Sequence, residues 1–149
     1  MKLRYLAVVA LAAVSTLAQA QSKPEDLIHL RQGGFQLLAR NVGALNSIAK
    51  GDVPFNKETA TNTAEFVSLL VPQIWAGFGA GSDKGAPTRA NAKIWSDDAG
   101  FKAAQEKLLV ITRKLPAAAG DANSLKAALA DIGGACKNCH DNYRDSSYH

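Results

Sequence analysis

The stretch GGACKNCHDNYRD, residues 133–145, holds both cysteines of this 149-residue chain. Cys136 and Cys139 stand three apart, and His140 follows directly. Leu125, Leu129, Ile132, Cys136, Cys139 and Tyr143 step alternately by four and three, which marks one face of an α-helix. Two thiols and an imidazole therefore project to one side of one helix. The spacing Cys-x-x-Cys-His is the attachment signature of a c-type haem. The thiols add to the two vinyl groups, and the adjacent imidazole reaches the iron as an axial ligand. A disulfide would suit an oxidising compartment but leaves the placement of His140 unexplained. A thioredoxin-like pair needs a strand–helix setting. A structural zinc needs four protein ligands, and only His29 and His149 remain to add.

Helical periodicity extends upstream of this segment. The helix with the cysteines starts between Asp121 and Ser124. Before it, Ser96 can cap a helix whose Phe101, Leu108, Ile111 and Leu115 run to a stop at Gly120. Residues 77–87 form a glycine-rich loop without the Gly-Lys-Ser/Thr ending of a phosphate loop, so a long crossover is expected. Asn56 can cap a helix with Phe66, Leu69, Leu70, Ile74 and Trp75 on its apolar side, which Pro72 should kink or end early. The first helix opens at Ser22-Lys-Pro-Glu25, where Glu25 can complete a capping box. Ile28, Phe35, Leu38, Val42, Leu45 and Ala49 form its apolar stripe, with Arg31 among them. A second stripe, Leu30, Gly34, Leu37, Ala44 and Ile48, predicts a homodimer through this helix. Lys50-Gly51 ends it. No segment alternates as a half-buried strand would. The expected fold is all-α, an antiparallel four-helix bundle with covalent haem near the C-terminal end of the fourth helix.

Residues 1–20 read as a cleavable signal peptide: Lys2 and Arg4, an apolar run, then Ala18-Gln-Ala20. Residues 21–149 form the bundle domain, exported to the periplasm with no membrane insertion after cleavage. Cleavage takes Lys and Arg from 17 to 15 against 13 acids, a net charge of +2. That is too small to argue for nucleic acid.

Residues 21–143 resemble the cytochromes c′, bacterial class II c-type cytochromes. The likeness rests on Lys23-Pro-Glu-Asp26, Arg31-Gln32, Trp75-Ala-Gly-Phe-Gly79, Ile94-Trp-Ser-Asp97 and Cys136-Lys-Asn-Cys-His-Asp-x-Tyr-Arg144. This class carries its haem motif at the C-terminal end. The resemblance implies one covalent haem c per chain on Cys136 and Cys139, with His140 as the metal ligand. It also implies Phe35 in the distal pocket, Arg144 on the proximal side, and Arg31 and Gln32 at the haem edge and propionates. A cation on a buried stripe needs an anion, which suits that role for Arg31.

The second axial position follows by subtraction. Met1, lost with the signal, is the chain's one methionine, so no thioether ligand remains. His29 lies about 240° round the helix from Phe35 and about 9 Å along it, so it does not share the haem-facing side. The iron is expected to be five-coordinate and high-spin, open to NO and CO. The family links to NO binding and nitrosative-stress tolerance, which makes gas binding the leading expectation. The alternative is periplasmic electron transfer with redox partner proteins. An enzyme such as a peroxidase would want distal acid–base groups, and none is evident.

Overall fold

The computed structural model describes residues 22–146. The signal segment 1–20 and His149 lie outside the described residues. Four long helices, α1 (Pro24–Lys50), α2 (Lys57–Ile74), α4 (Asp98–Ala118) and α5 (Ala122–Tyr143), form the bundle, with a one-turn α3 (Lys93–Ser96) before α4. α1 packs on α2 and α5, and α4 packs on the same two, so the helices sit at the corners of a square. The α2–α4 crossover begins as a 3₁₀ turn, Trp75–Phe78, which packs on α1.

Local chemistry sets most helix ends. Asn56 accepts from the Thr59 N–H at 2.8 Å and opens α2. Asp121 accepts from Asn123 and Ser124 and opens α5. Gly51, at φ 82°, closes α1 in the left-handed region, its N–H on Ile48 O.

Two expected caps are different. The Ser22–Glu25 box does not form, because the N-cap is Lys23. Pro24 forces the residue before it into extended backbone, which moves the helix start one position past Ser22. Ser96 ends α3, and Asp97 caps α4 by accepting from the Gly100 N–H at 3.1 Å. A carboxylate is the better acceptor at a helix N-terminus. Pro72 does not stop α2, which runs to Ile74 before tightening into the 3₁₀ turn.

The core runs along the bundle axis through Leu38 and Leu45 of α1, Val67 and Val71 of α2, Leu115 of α4 and Leu129 of α5. Leu69, expected on the apolar side of α2, is 72% exposed. The second stripe of α1 divides. Ile48 is buried within the chain, and the Cβ position of Gly34 is filled by Ile74 of α2. Leu30, Leu37 and Ala44 stay on the surface. Among the described residues, no helix is long and apolar enough to cross a membrane.

Gly77 shows how closely the crossover sits on α1. An added Cβ there would lie 2.6 Å from Arg31 Cβ and 2.7 Å from Leu27 O. Helix backbone cannot yield as a flexible side-chain tip can. Gly77→Ala should therefore lower unfolding stability by about 1–3 kcal/mol. Gly133 on α5 meets nothing within 4 Å, so Gly133→Ala should raise stability by roughly 0.5–1 kcal/mol. Urea unfolding of both variants checks the contrast.

Candidate haem site

The last turns of α5 bring Cys136, Cys139 and His140 to one wall of a cavity of about 660 Å³. That volume is in the range of cofactor sites. The two thiols are free and half-buried. Burial pushes both above the ordinary thiol range, Cys139 further through the charge of Cys136. Burial lowers the pKa of His140, and the Arg144 and Arg89 charges lower it further against Asp141. Both effects favour the neutral imidazole, the form that ligates metal.

The opposite wall comes from α1. The Phe35 ring meets His140 edge-on with centroids 6.4 Å apart. Leu38 and Val42 line the cavity beside it. Trp75, Phe78 and Phe101 complete an aromatic cluster, with Phe35–Trp75 at 5.9 Å and Phe78–Phe101 at 5.0 Å between centroids. At the end of α5 the Tyr143 hydroxyl donates to Asp97 Oδ2 at 2.9 Å, tying the last turn of α5 to the first of α4. His29 is exposed and does not line the cavity.

The charges around this cavity are one-sided. Arg31, Arg89 and Arg144 line it, and among the described residues no aspartate or glutamate does. The ion pairs among the described residues, Lys93–Asp97, Lys102–Asp98, Arg113–Glu106 and Lys137–Asp141, take none of these arginines. An apolar cavity with thiols and an imidazole on one wall and unpaired guanidinium groups around it suits haem, an apolar macrocycle bearing two carboxylates.

The sequence comparisons agree. A family profile described as cytochrome C′ matches residues 26–144. The chain belongs to the cytochrome c′ family. It is 42% identical over 125 residues to cytochrome c′ of Rubrivivax gelatinosus, covering 83% of this chain and 97% of the relative. Cytochrome c′ of Alcaligenes xylosoxydans xylosoxydans is 38% identical, with 83% and 96% covered. The solved structure of the Rubrivivax gelatinosus protein superposes with a TM-score of 0.80, covering 83% of this chain and 98% of that one. A nitric oxide complex of a cytochrome c prime variant from Alcaligenes xylosoxidans superposes with a TM-score of 0.79 at 37% identity, covering 85% and 99%. Cytochromes c′ bind haem c covalently, and this chain is a haem c protein of that fold.

The residues the sequence singled out do converge: Cys136, Cys139, His140, Phe35, Arg31, Gln32 and Arg144 all line the one cavity. The reason given for Arg31 changes. Arg31 is 2% exposed, and its guanidinium donates from Nη1 to Gly77 O at 2.8 Å and Ser82 Oγ at 3.0 Å. From Nη2 it donates to Ser82 O and Thr88 Oγ1, both at 2.9 Å. The Phe78 ring lies 4.9 Å from the guanidinium carbon. Four neutral acceptors and an aromatic face satisfy this cation, so its burial requires no anion. Gln32 likewise donates to Pro87 O at 2.8 Å. The crossover residues Ser82, Thr88 and Arg89 carried no sequence signal, since each meets its partner about fifty positions away in the chain.

Arg31 is thus the clamp that fastens the crossover to α1. Arg31→Leu would leave Ser82 O without its donor and Gly77 O with only the 3.4 Å bond from Ser82 Oγ, and should cost about 2 kcal/mol. Chemical denaturation measures that loss, and limited proteolysis should show cleavage in residues 79–92 first.

Proposed function

We propose that the protein is a periplasmic cytochrome c′ that binds small neutral diatomic ligands, NO and CO, in a role tied to nitrosative stress. In this reading Cys136 and Cys139 would carry the thioether links and His140 would ligate the iron. The haem supplies the metal orbital that a diatomic ligand needs. The side chains decide what may approach it. The observation that carries the reading is the residue opposite His140: Phe35, which can neither ligate nor donate a strong hydrogen bond. Leu38 and Val42 beside it add no donor. Neutral NO and CO tolerate such a pocket, whereas bound dioxygen carries negative charge and draws on a donor. Variants of one relative, the Alcaligenes xylosoxidans protein, solved as nitric oxide complexes support the ligand class. The methionine that would make a low-spin electron carrier is missing from residues 21–149.

Phe35 then acts as a gate. A ligand entering from its side must displace the ring, at a cost of about 1–3 kcal/mol of lost burial. That lowers affinity roughly 5- to 150-fold relative to an open pocket. Phe35→Ala should bind CO faster and more tightly within that range, as measured by stopped flow on the ferrous protein. Equal association rates would show that the ring does not gate the site.

A second copy of the chain is the proposed partner on the α1 surface. Leu30 at 46% and Leu37 at 48% exposure, with Ala44, present an apolar row at seven-residue spacing. Leu37→Glu should convert a dimer to monomer in sedimentation velocity. Wild type already sedimenting as a monomer would remove this partner.

A further inference from the structure

We propose that Arg89, rather than Arg31, is the residue that pairs with a haem carboxylate in this chain and so helps set the reduction potential. The inference rests on the haem reading above and on a count of free donors. Arginine has five N–H groups. Four of those of Arg31 already point at Gly77 O, Ser82 Oγ, Ser82 O and Thr88 Oγ1. A carboxylate could take only its Nε–H, so bidentate pairing with Arg31 is closed.

Arg89 is different. Its Nε and Nη2 donate to a single backbone oxygen, Asp145 O, at 3.0 and 2.9 Å. Both Nη1 donors and the second on Nη2 remain, and the residue is half-buried and lines the cavity with its guanidinium at the solvent edge. The segment that carries it is fixed to the end of α5. The Asp145 N–H donates to Arg89 O at 2.8 Å, the Asn91 N–H donates to Tyr143 O at 3.2 Å, and Ala90 bridges to Arg144. Arg89 is therefore oriented by the same helix end that bears His140. Arg89 has no carboxylate partner among the described residues and lines the cavity together with Arg144, so an anion held there meets two cations. The haem carboxylates are the anions this cavity is built to receive, and planar bidentate pairing is what guanidinium does best.

The consequence is electrostatic. Ferric haem carries one more positive charge than ferrous haem, and a carboxylate stripped of its cation favours the ferric form. In the holoprotein, Arg89→Gln should shift the reduction potential downward, Arg89→Lys should restore most of the shift, and Arg31→Lys should move it less than Arg89→Gln does. Redox titration on protein with verified covalent haem reads all three. An unchanged potential in Arg89→Gln overturns the proposal, as does a larger shift in Arg31→Lys. A drop that lysine fails to restore assigns the effect to the lost tether on Asp145 O and also overturns it. Wild-type protein without covalent haem would instead remove the reading beneath it.

Discussion

A four-helix bundle gains its stability by turning one apolar face of every helix inward. Here that rule is kept along most of the axis and relaxed at one end. The controlling constraint is that the last turns of α5 present two thiols and an imidazole on the inward face, where aliphatic side chains would otherwise interdigitate with α1 and α4. A haem c bound beside that helix needs a cavity of its own size there. The rest of the structure is arranged to provide it. α1 supplies the facing wall with Phe35, Leu38 and Val42, and the crossover supplies the rim. Tyr143 and Asp97 fix the end of α5 to α4 below it.

The crossover is where a bundle could have been loosest. Fourteen residues separate the 3₁₀ turn ending at Phe78 from α3 beginning at Lys93. A loop of that length is usually mobile or functional. A single buried guanidinium gathers it: Arg31 of α1 collects Gly77, Ser82 and Thr88 into one hydrogen-bonded knot. The far end is sewn to residues 142–145 of α5 and its exit by backbone and side-chain hydrogen bonds from Arg89 and Asn91. Both seams reach residues that line the haem cavity, so loop order and cofactor environment rest on the same contacts.

The sequence made the architecture legible where the chemistry is local. The Cys-x-x-Cys-His spacing, the four apolar stripes, the caps at Asn56 and Gly51, and the helix start within residues 121–124 each act within a turn or two of helix. Misreadings arose where a neighbour outcompeted the expected residue. Pro24 displaced Ser22 from the cap, and Asp97 displaced Ser96. The partners of Arg31 and the place of Arg89 were not legible, because polar loop residues carry no periodicity and their contacts span about fifty positions. The second stripe of α1 shows the remaining limit. Periodicity finds a face but does not say whether another helix of the same chain already covers part of it, as Ile74 covers Gly34.

The central claim is that His140 alone reaches the iron and that Phe35 only fills space opposite. The EPR spectrum of the purified ferric protein tests it most directly, supported by the absorption spectrum of the same sample. The account predicts a high-spin signal from a five-coordinate iron. A low-spin spectrum would show a second strong-field ligand on the iron and would contradict it.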